Sequence, residues 1–235
     1  MSSATPKPLV HVVDDEVEVR KVLRSVLANA GYEADTYESA GEFLDRCDRT
    51  RPGCILLDIR LKGTSGLELL EQLQATGCML PVVIISGHAD VPIAVRALKG
   101  GAMDLLEKPF DNEVLLDRVR KALQRDARLR KEQEDKAAVM THVAQLTARE
   151  REVMHLVVDG HPNKRIASEL GISIKTVEAH RAHVMRKMQA ESLAELVRLA
   201  ESIAPRSDPA AATAASDLAP RAVASPGDVT VSDDI

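Results

Sequence analysis

The stretch CILLDIRLKGTSGLELL, residues 54–70, decides the fold. Cys54 to Leu57 run without a polar break into Asp58, the pattern of a strand buried on both faces. After a polar loop containing Gly63, leucines recur at helical spacing, which predicts a helix over 66–75 that stops at Gly77. The same alternation repeats outward. LVHVV (9–13) and PVVIIS (81–86) are further apolar runs, and weaker strands fit 33–37 and 104–107. Helices fit about 17–30, 40–46, 90–99 and 112 onward, several ending at Gly31 or Gly100. Five strands alternating with five helices describe a doubly wound parallel α/β sheet, (βα)5.

In such a sheet, ligands bind beyond the carboxyl ends of the strands. Those ends here deliver Asp14 and Asp15, then Asp58, Ser86 and finally Lys108. Three carboxylates crowded beside one ammonium repel each other and favour a hard divalent cation, with Mg2+ the natural choice. With the charge of phosphoryl oxygens neutralised by that cation and by Lys108, a carboxylate can attack phosphorus and form an acyl phosphate, Ser86 donating a hydrogen bond to the new group. Asp58, on the central strand, is the expected nucleophile.

Composition sets limits on the alternatives. The chain has 235 residues, 45% hydrophobic and 29% charged, but only 2% aromatic and without tryptophan. Aliphatic side chains must therefore fill the core, and sites built from stacked rings are disfavoured. No apolar run reaches the ~18 residues of a membrane span, and the first residues lack the apolar stretch of a signal peptide, so a cytoplasmic location without membrane contact is expected. Cys47, Cys54 and Cys78 show no metal-ligand spacing and read as reduced structural thiols, with neither disulfide nor zinc. His11, inside a strand, reads as a core polar group, and His88 as loop structure.

Charge is unevenly spread. Residues 1–125 carry sixteen basic and nineteen acidic side chains, whereas 163–187 carry six and two within a chain of net charge −5. A local basic stretch suits phosphate binding. It falls in a helical region: LTARERE opens a helix near 148–158 with Thr147 and Glu150 as a capping box. Asn163 is placed to cap 164–170, Gly171 permits a tight turn, and Ser173 is placed to cap a helix through about Met188. Val177, Val184 and Met188 point to a core, which leaves the polar N-terminal half of that helix for a DNA groove. A helical dimerisation module with solvated charges is the alternative on spacing alone. Between 126 and 141 the chain is charged and free of Gly and Pro, an exposed helical linker. From 205 to 235 Ala, Pro, Ser and Asp dominate, a composition expected to be disordered.

The motifs VVDDE, LLDIRLKGTSGLELL, VIISGHADV and LLEKPF resemble the receiver domain of two-component response regulators, a flavodoxin-like (βα)5 fold. LTARERE, DGHPNKRIASELGIS and KTVEAHRAHVMRKM resemble the LuxR-type helix-turn-helix domain of FixJ-like and NarL-like regulators. The first resemblance implies Asp58 as phosphoacceptor, Mg2+ held by Asp14, Asp15, Asp58 and the Arg60 carbonyl, Ser86 as switch hydroxyl, Lys108 on the phosphoryl group, and a cis Lys108–Pro109 bond. Where the family usually carries an aromatic switch residue, this chain has Leu105, and Lys62 stands where proline is common. The second resemblance implies a recognition helix over 173–188. Asn163 and Lys164 then lie near the DNA backbone and Thr176 in the helix's Thr-Val pair. Glu178 is then a candidate acceptor from cytosine, Arg181 a candidate reader of guanine or a phosphate contact, His180 either a base reader or a locally packed group, and Lys175 and Lys187 candidate phosphate contacts.

Together these imply a receiver domain (1–125), a helical linker (126–141), a LuxR-type DNA-binding domain (142–204) and a tail. They imply a transcription regulator, not an enzyme acting on external substrates. A sensor histidine kinase, promoter DNA and RNA polymerase are the expected partners, and phosphorylation is expected to promote a homodimer. An aspartyl-phosphate hydrolase is disfavoured because Arg60 stands where that chemistry commonly uses a second acid. A flavodoxin-like cofactor binder is disfavoured by the scarcity of aromatics, and a phosphorelay adaptor that binds only protein differs in lacking DNA binding.

Overall fold

The computed structural model describes residues 6–87 and 91–203. His88 and the tail over 205–235 lie outside the described residues. The chain divides into two compact units, one ending at Asp135 and the other beginning at Lys136.

The first unit is a five-stranded parallel sheet in the order β2-β1-β3-β4-β5. Its strands are β1 (Leu9–Val13), β2 (Glu33–Tyr37), β3 (Gly53–Asp58), β4 (Val82–Ser86) and β5 (Asp104–Glu107). The connecting helices are α1 (Val17–Asn29), α2 (Ala40–Arg46), α3 (Gly66–Ala75) and α4 (Val91–Lys99), with α5 (Asn112–Ala144) after the last strand. Every residue of β1, β3 and β4 is buried, which explains their unbroken apolar sequences.

The two-residue repeat of a strand sorts these side chains into two layers. Ile55, Leu57 and Ile84 pack with Phe43, Leu69, Leu70 and Leu73 on one face. Val10, Val12, Leu56 and Ile85 pack with Leu23, Leu27, Leu115 and Val119 on the other. Each such aliphatic side chain contributes about 1.5–3 kcal/mol when fully buried. His11 is fully buried within β1, its Nδ1 3.1 Å from the Tyr37 hydroxyl and its ring edge-on to Phe43. Burial pushes its pKa down to about 4, so it is neutral at neutral pH. All three cysteines are free, and burial pushes the Cys47 and Cys54 thiols up to about 12, far from thiolate chemistry.

The stretch from 126 was expected to be exposed, and Ala127 and Arg128 are, but its first residue is not. Asp126 is almost completely buried. Its Oδ2 accepts from the Gly53 N–H at 3.0 Å, and both of its oxygens accept from Arg130 Nε at 2.9–3.0 Å. Arg130 also donates to the carbonyls of Thr50 (2.6 Å) and Arg51 (2.9 Å). This node fastens α5 to the amino end of β3, where a Cβ on Gly53 would lie 2.1 Å from the Leu9 carbonyl oxygen.

The second unit is helical. α6 (Ala148–Val158) begins with a complete Thr147–Glu150 capping box, and α8 (Ile174–Lys187) with Ser173 accepting from the Thr176 N–H. α7 (Asn163–Leu170) departs from expectation: its cap is Pro162, and Asn163 is already helical, which leaves its amide free for another partner. Gly171 closes that helix at φ 65°, a conformation that suits glycine. With α9 (Leu193–Ile203) and Val139 of α5, these helices bury Val153, Val157, Ile166, Val177, Val184, Met188 and Leu196. Among the described residues no helix is long and apolar enough to cross a membrane.

Candidate functional site

β1 and β3 are neighbours with Val13 opposite Leu57, so Asp14, one residue beyond β1, comes beside Asp58 at the end of β3. Lys108 arrives from the end of β5, where its N–H donates to the Ser86 carbonyl at 2.7 Å and the Lys108–Pro109 bond is cis. Its ammonium joins the two acids, 2.8 Å from Asp14 Oδ2 and 2.8 Å from Asp58 Oδ1. Burial works to lower the Lys108 pKa, but hydrogen bonds and charge from Asp14 and Asp58 outweigh it and hold the ammonium above its ordinary value.

Backbone groups orient the remaining oxygens. Asp14 Oδ1 accepts from the Glu16 N–H at 2.8 Å, and Asp58 Oδ2 from the Arg60 N–H at 2.5 Å. Arg20 holds the Asp14 carbonyl at 2.6 Å. Asp14, Asp58 and Ser86 are each less than one-tenth exposed. α3 closes over the loop with a Ser65–Glu68 capping box, and Gly66 passes so near Asp58 that a Cβ there would lie 2.0 Å from its carbonyl oxygen. Neither Arg20 nor Gly66 carries a sequence signal for this role; each is visible only as a close approach.

The three carboxylates do not converge on one point as the sequence suggested. Lys108 draws Asp14 and Asp58 to itself, while Asp15 Oδ2 lies 3.8 Å from exposed Lys62. Among the described residues no group of three or more acidic, His or Cys side chains stands in metal-binding geometry. The donor chemistry nevertheless fits Mg2+: hard carboxylate oxygens with excess negative charge, two of them nearly removed from water. Leu105 is half-buried, opposite Ile84 on β4 and packed against the first core layer.

In the second unit, α8 turns Lys175, Thr176, Glu178, Ala179, Ala182 and Arg186 outward, with Lys164 exposed on α7 and His180 half-buried. Three residues expected at DNA are engaged within the domain. Arg181 Nη1 donates to Asn163 Oδ1 at 2.9 Å, the partner freed when Pro162 takes the cap. Lys187, read from sequence as a phosphate contact, donates to buried Glu150 Oε2 at 2.6 Å. That bond, together with the Thr147 N–H, holds the Glu150 pKa down at about 2. Arg186, not singled out from the sequence, is exposed four residues beyond Ala182, a spacing that the helical repeat makes readable.

A family model of the response regulator receiver domain matches residues 10–120, and one of the luxR family of bacterial regulatory proteins matches residues 144–200. The chain is 45% identical over 201 residues to the transcriptional regulatory protein FixJ of Azorhizobium caulinodans, covering 85% of this chain and 95% of that protein. The chain belongs to the FixJ-like response regulators. FixJ of Rhizobium meliloti is 42% identical, with 81% and 94% covered. Among solved structures, response regulator StyR is 43% identical with a TM-score of 0.73, covering 83% of this chain and 99% of that one. Full-length FixJ from B. japonicum is 40% identical with a TM-score of 0.53, covering 85% and 98%. Membership of the FixJ-like response regulators makes this a two-component signalling protein with a DNA-binding output domain, a transcription regulator rather than a conventional enzyme.

Proposed function

We propose that Asp58 accepts a phosphoryl group from a partner sensor histidine kinase and that this modification controls DNA binding by α8. The observation that carries the reading is the Lys108 ammonium 2.8 Å from both Asp14 and Asp58. An Asp58 oxygen attacks phosphorus as the phosphorus–nitrogen bond of the donor phosphohistidine, protonated on its other ring nitrogen, breaks, leaving an acyl phosphate on Asp58 and a neutral imidazole on the kinase. Lys108 supplies positive charge beside the phosphoryl oxygens, and Ser86 offers its hydroxyl to the product. Asp14, Asp15, Asp58 and the Arg60 carbonyl would hold Mg2+, which supplies further neutralisation of phosphoryl charge when bound.

The new group brings roughly −1.5 to −2 charge to a buried pocket, so its stabilisation must come from contacts that differ between two receiver states. Two chains in the phosphorylated state then pair and present two α8 helices to adjacent half-sites on promoter DNA, where RNA polymerase is recruited or excluded. The cytoplasm is the compartment in which such a protein meets both kinase and DNA. The test is intact mass after incubation with Mg2+ and acetyl phosphate. One phosphoryl group on the wild-type chain and none on Asp58→Asn is expected; equal labelling of both removes Asp58 from the mechanism.

A further inference from the structure

We propose that Glu178 selects cytosine at one position of each DNA half-site, with Ala179 and Ala182 letting the helix approach the bases closely. The inference rests on the DNA-binding reading of α8 and deepens it. Val177, Val184 and Met188 face the domain core, so the opposite side of the helix carries Lys175, Glu178, Ala179, Ala182, His183 and Arg186. Of the two other cations of α8 expected at DNA, half-buried Arg181 pairs with Asn163, and Lys187, the last residue of the helix, pairs with Glu150. That face holds one carboxylate beside two small methyl groups, with Lys175 and Arg186 toward its two ends and the His183 imidazole at its edge, 3.5 Å from Glu150.

Glu178 makes no hydrogen bond or ion pair among the described residues. A carboxylate entering a groove walled by phosphates is repelled unless it meets a hydrogen-bond donor, and as an acceptor-only group it cannot use a base acceptor. The major groove offers two donors, cytosine N4 and adenine N6. Adenine sets its N7 acceptor beside N6, where a second carboxylate oxygen would face a lone pair, whereas cytosine presents the donor alone. Glutamate therefore favours cytosine and works against guanine, whose O6 and N7 are both acceptors. The alanines add no polar reach and leave room for a thymine methyl. Lys175, Arg186 and Lys164 are placed for phosphates, where they add affinity without sequence information.

The experiment is selection from a random double-stranded DNA pool by the full-length chain treated with Mg2+ and acetyl phosphate, comparing wild type, Glu178→Gln, Glu178→Ala and Arg181→Ala. Wild type is expected to enrich cytosine at a fixed position, by about five- to a hundredfold over other bases. Glu178→Gln moves that position to adenine, because an amide pairs with both N6 and N7, while Glu178→Ala leaves it unselected and the other positions intact. Arg181→Ala keeps the wild-type base pattern. If both Glu178 variants select the same bases as wild type, or if Arg181→Ala erases a selected guanine, the assignment is overturned. A wild-type chain that selects no sequence at all overturns the DNA-binding reading itself and this inference with it.

Discussion

Replacing Arg130 by methionine tests whether the first turns of the stretch from 126 are part of the receiver. Arg130 is 24% exposed in its side chain and its partner Asp126 2%. The change strips both carboxylate oxygens of their guanidinium donor and leaves the carbonyls of Thr50 and Arg51 without theirs. Removing one member of a buried ion pair costs about 3–5 kcal/mol because the other charge stays behind. Solvent reaching Arg130 screens part of that, so about 2–4 kcal/mol is expected. In an Asp126→Asn background the amide oxygen still accepts from Gly53 and no charge is stranded. There the same change should cost only about 1 kcal/mol, the scale of ordinary hydrogen bonds. The assay is native-state hydrogen exchange of the β3 amides in the full chain, where 1.4 kcal/mol is about tenfold in protection. Arg130→Met should lower β3 protection by roughly 30- to 1000-fold alone, and far less when Asp126 is already Asn. Equal losses in both backgrounds would refute the buried-charge argument. Asp58, at the other end of β3, should label normally with acetyl phosphate in the Asp126→Asn chain.

Gly66→Ala should slow labelling of Asp58 by roughly a hundredfold, since a Cβ 2.0 Å from the Asp58 carbonyl oxygen displaces the acceptor by a sizeable fraction of an ångström; time-resolved intact mass reads the rate. Glu150 has a depressed folded pKa of about 2, so its stabilisation of the helical unit is fully present above the unfolded value of ~4.3 and is lost as pH falls from there toward 2. Hydrogen exchange of α6 and α8 across that window should show the loss in wild type and a much flatter profile in Lys187→Met.

The α/β architecture was legible because fully buried strands must be continuously apolar and helices must stop where a residue accepts left-handed φ. The runs at 9–13, 54–58 and 81–86 and the stops at Gly31 and Gly77 carry those signals. Asp58, Ser86 and Lys108 stood out because parallel strands bring their carboxyl ends to one edge. What the sequence hid was pairing at a distance. Asp126 and Arg130 look like any i,i+4 pair on a solvated helix until Gly53 and Thr50 cover them. Lys187 and Glu150 are 37 residues apart, and Arg181 and Asn163 are 18 apart, so helical periodicity could not show either cation engaged. The same holds for the acidic cluster, where strand order brings the carboxylates to one edge but the reach of Lys108 sets how they are shared.

The most direct test of the account is DNA binding by the full-length chain, wild type and Asp58→Asn, measured side by side with and without Mg2+ and acetyl phosphate, together with the oligomeric state. The phosphodonor is expected to bring dimerisation and tight binding to a selected palindrome-like site in the wild type alone. Equal binding to that site with and without the donor, or equal activation of Asp58→Asn, contradicts it.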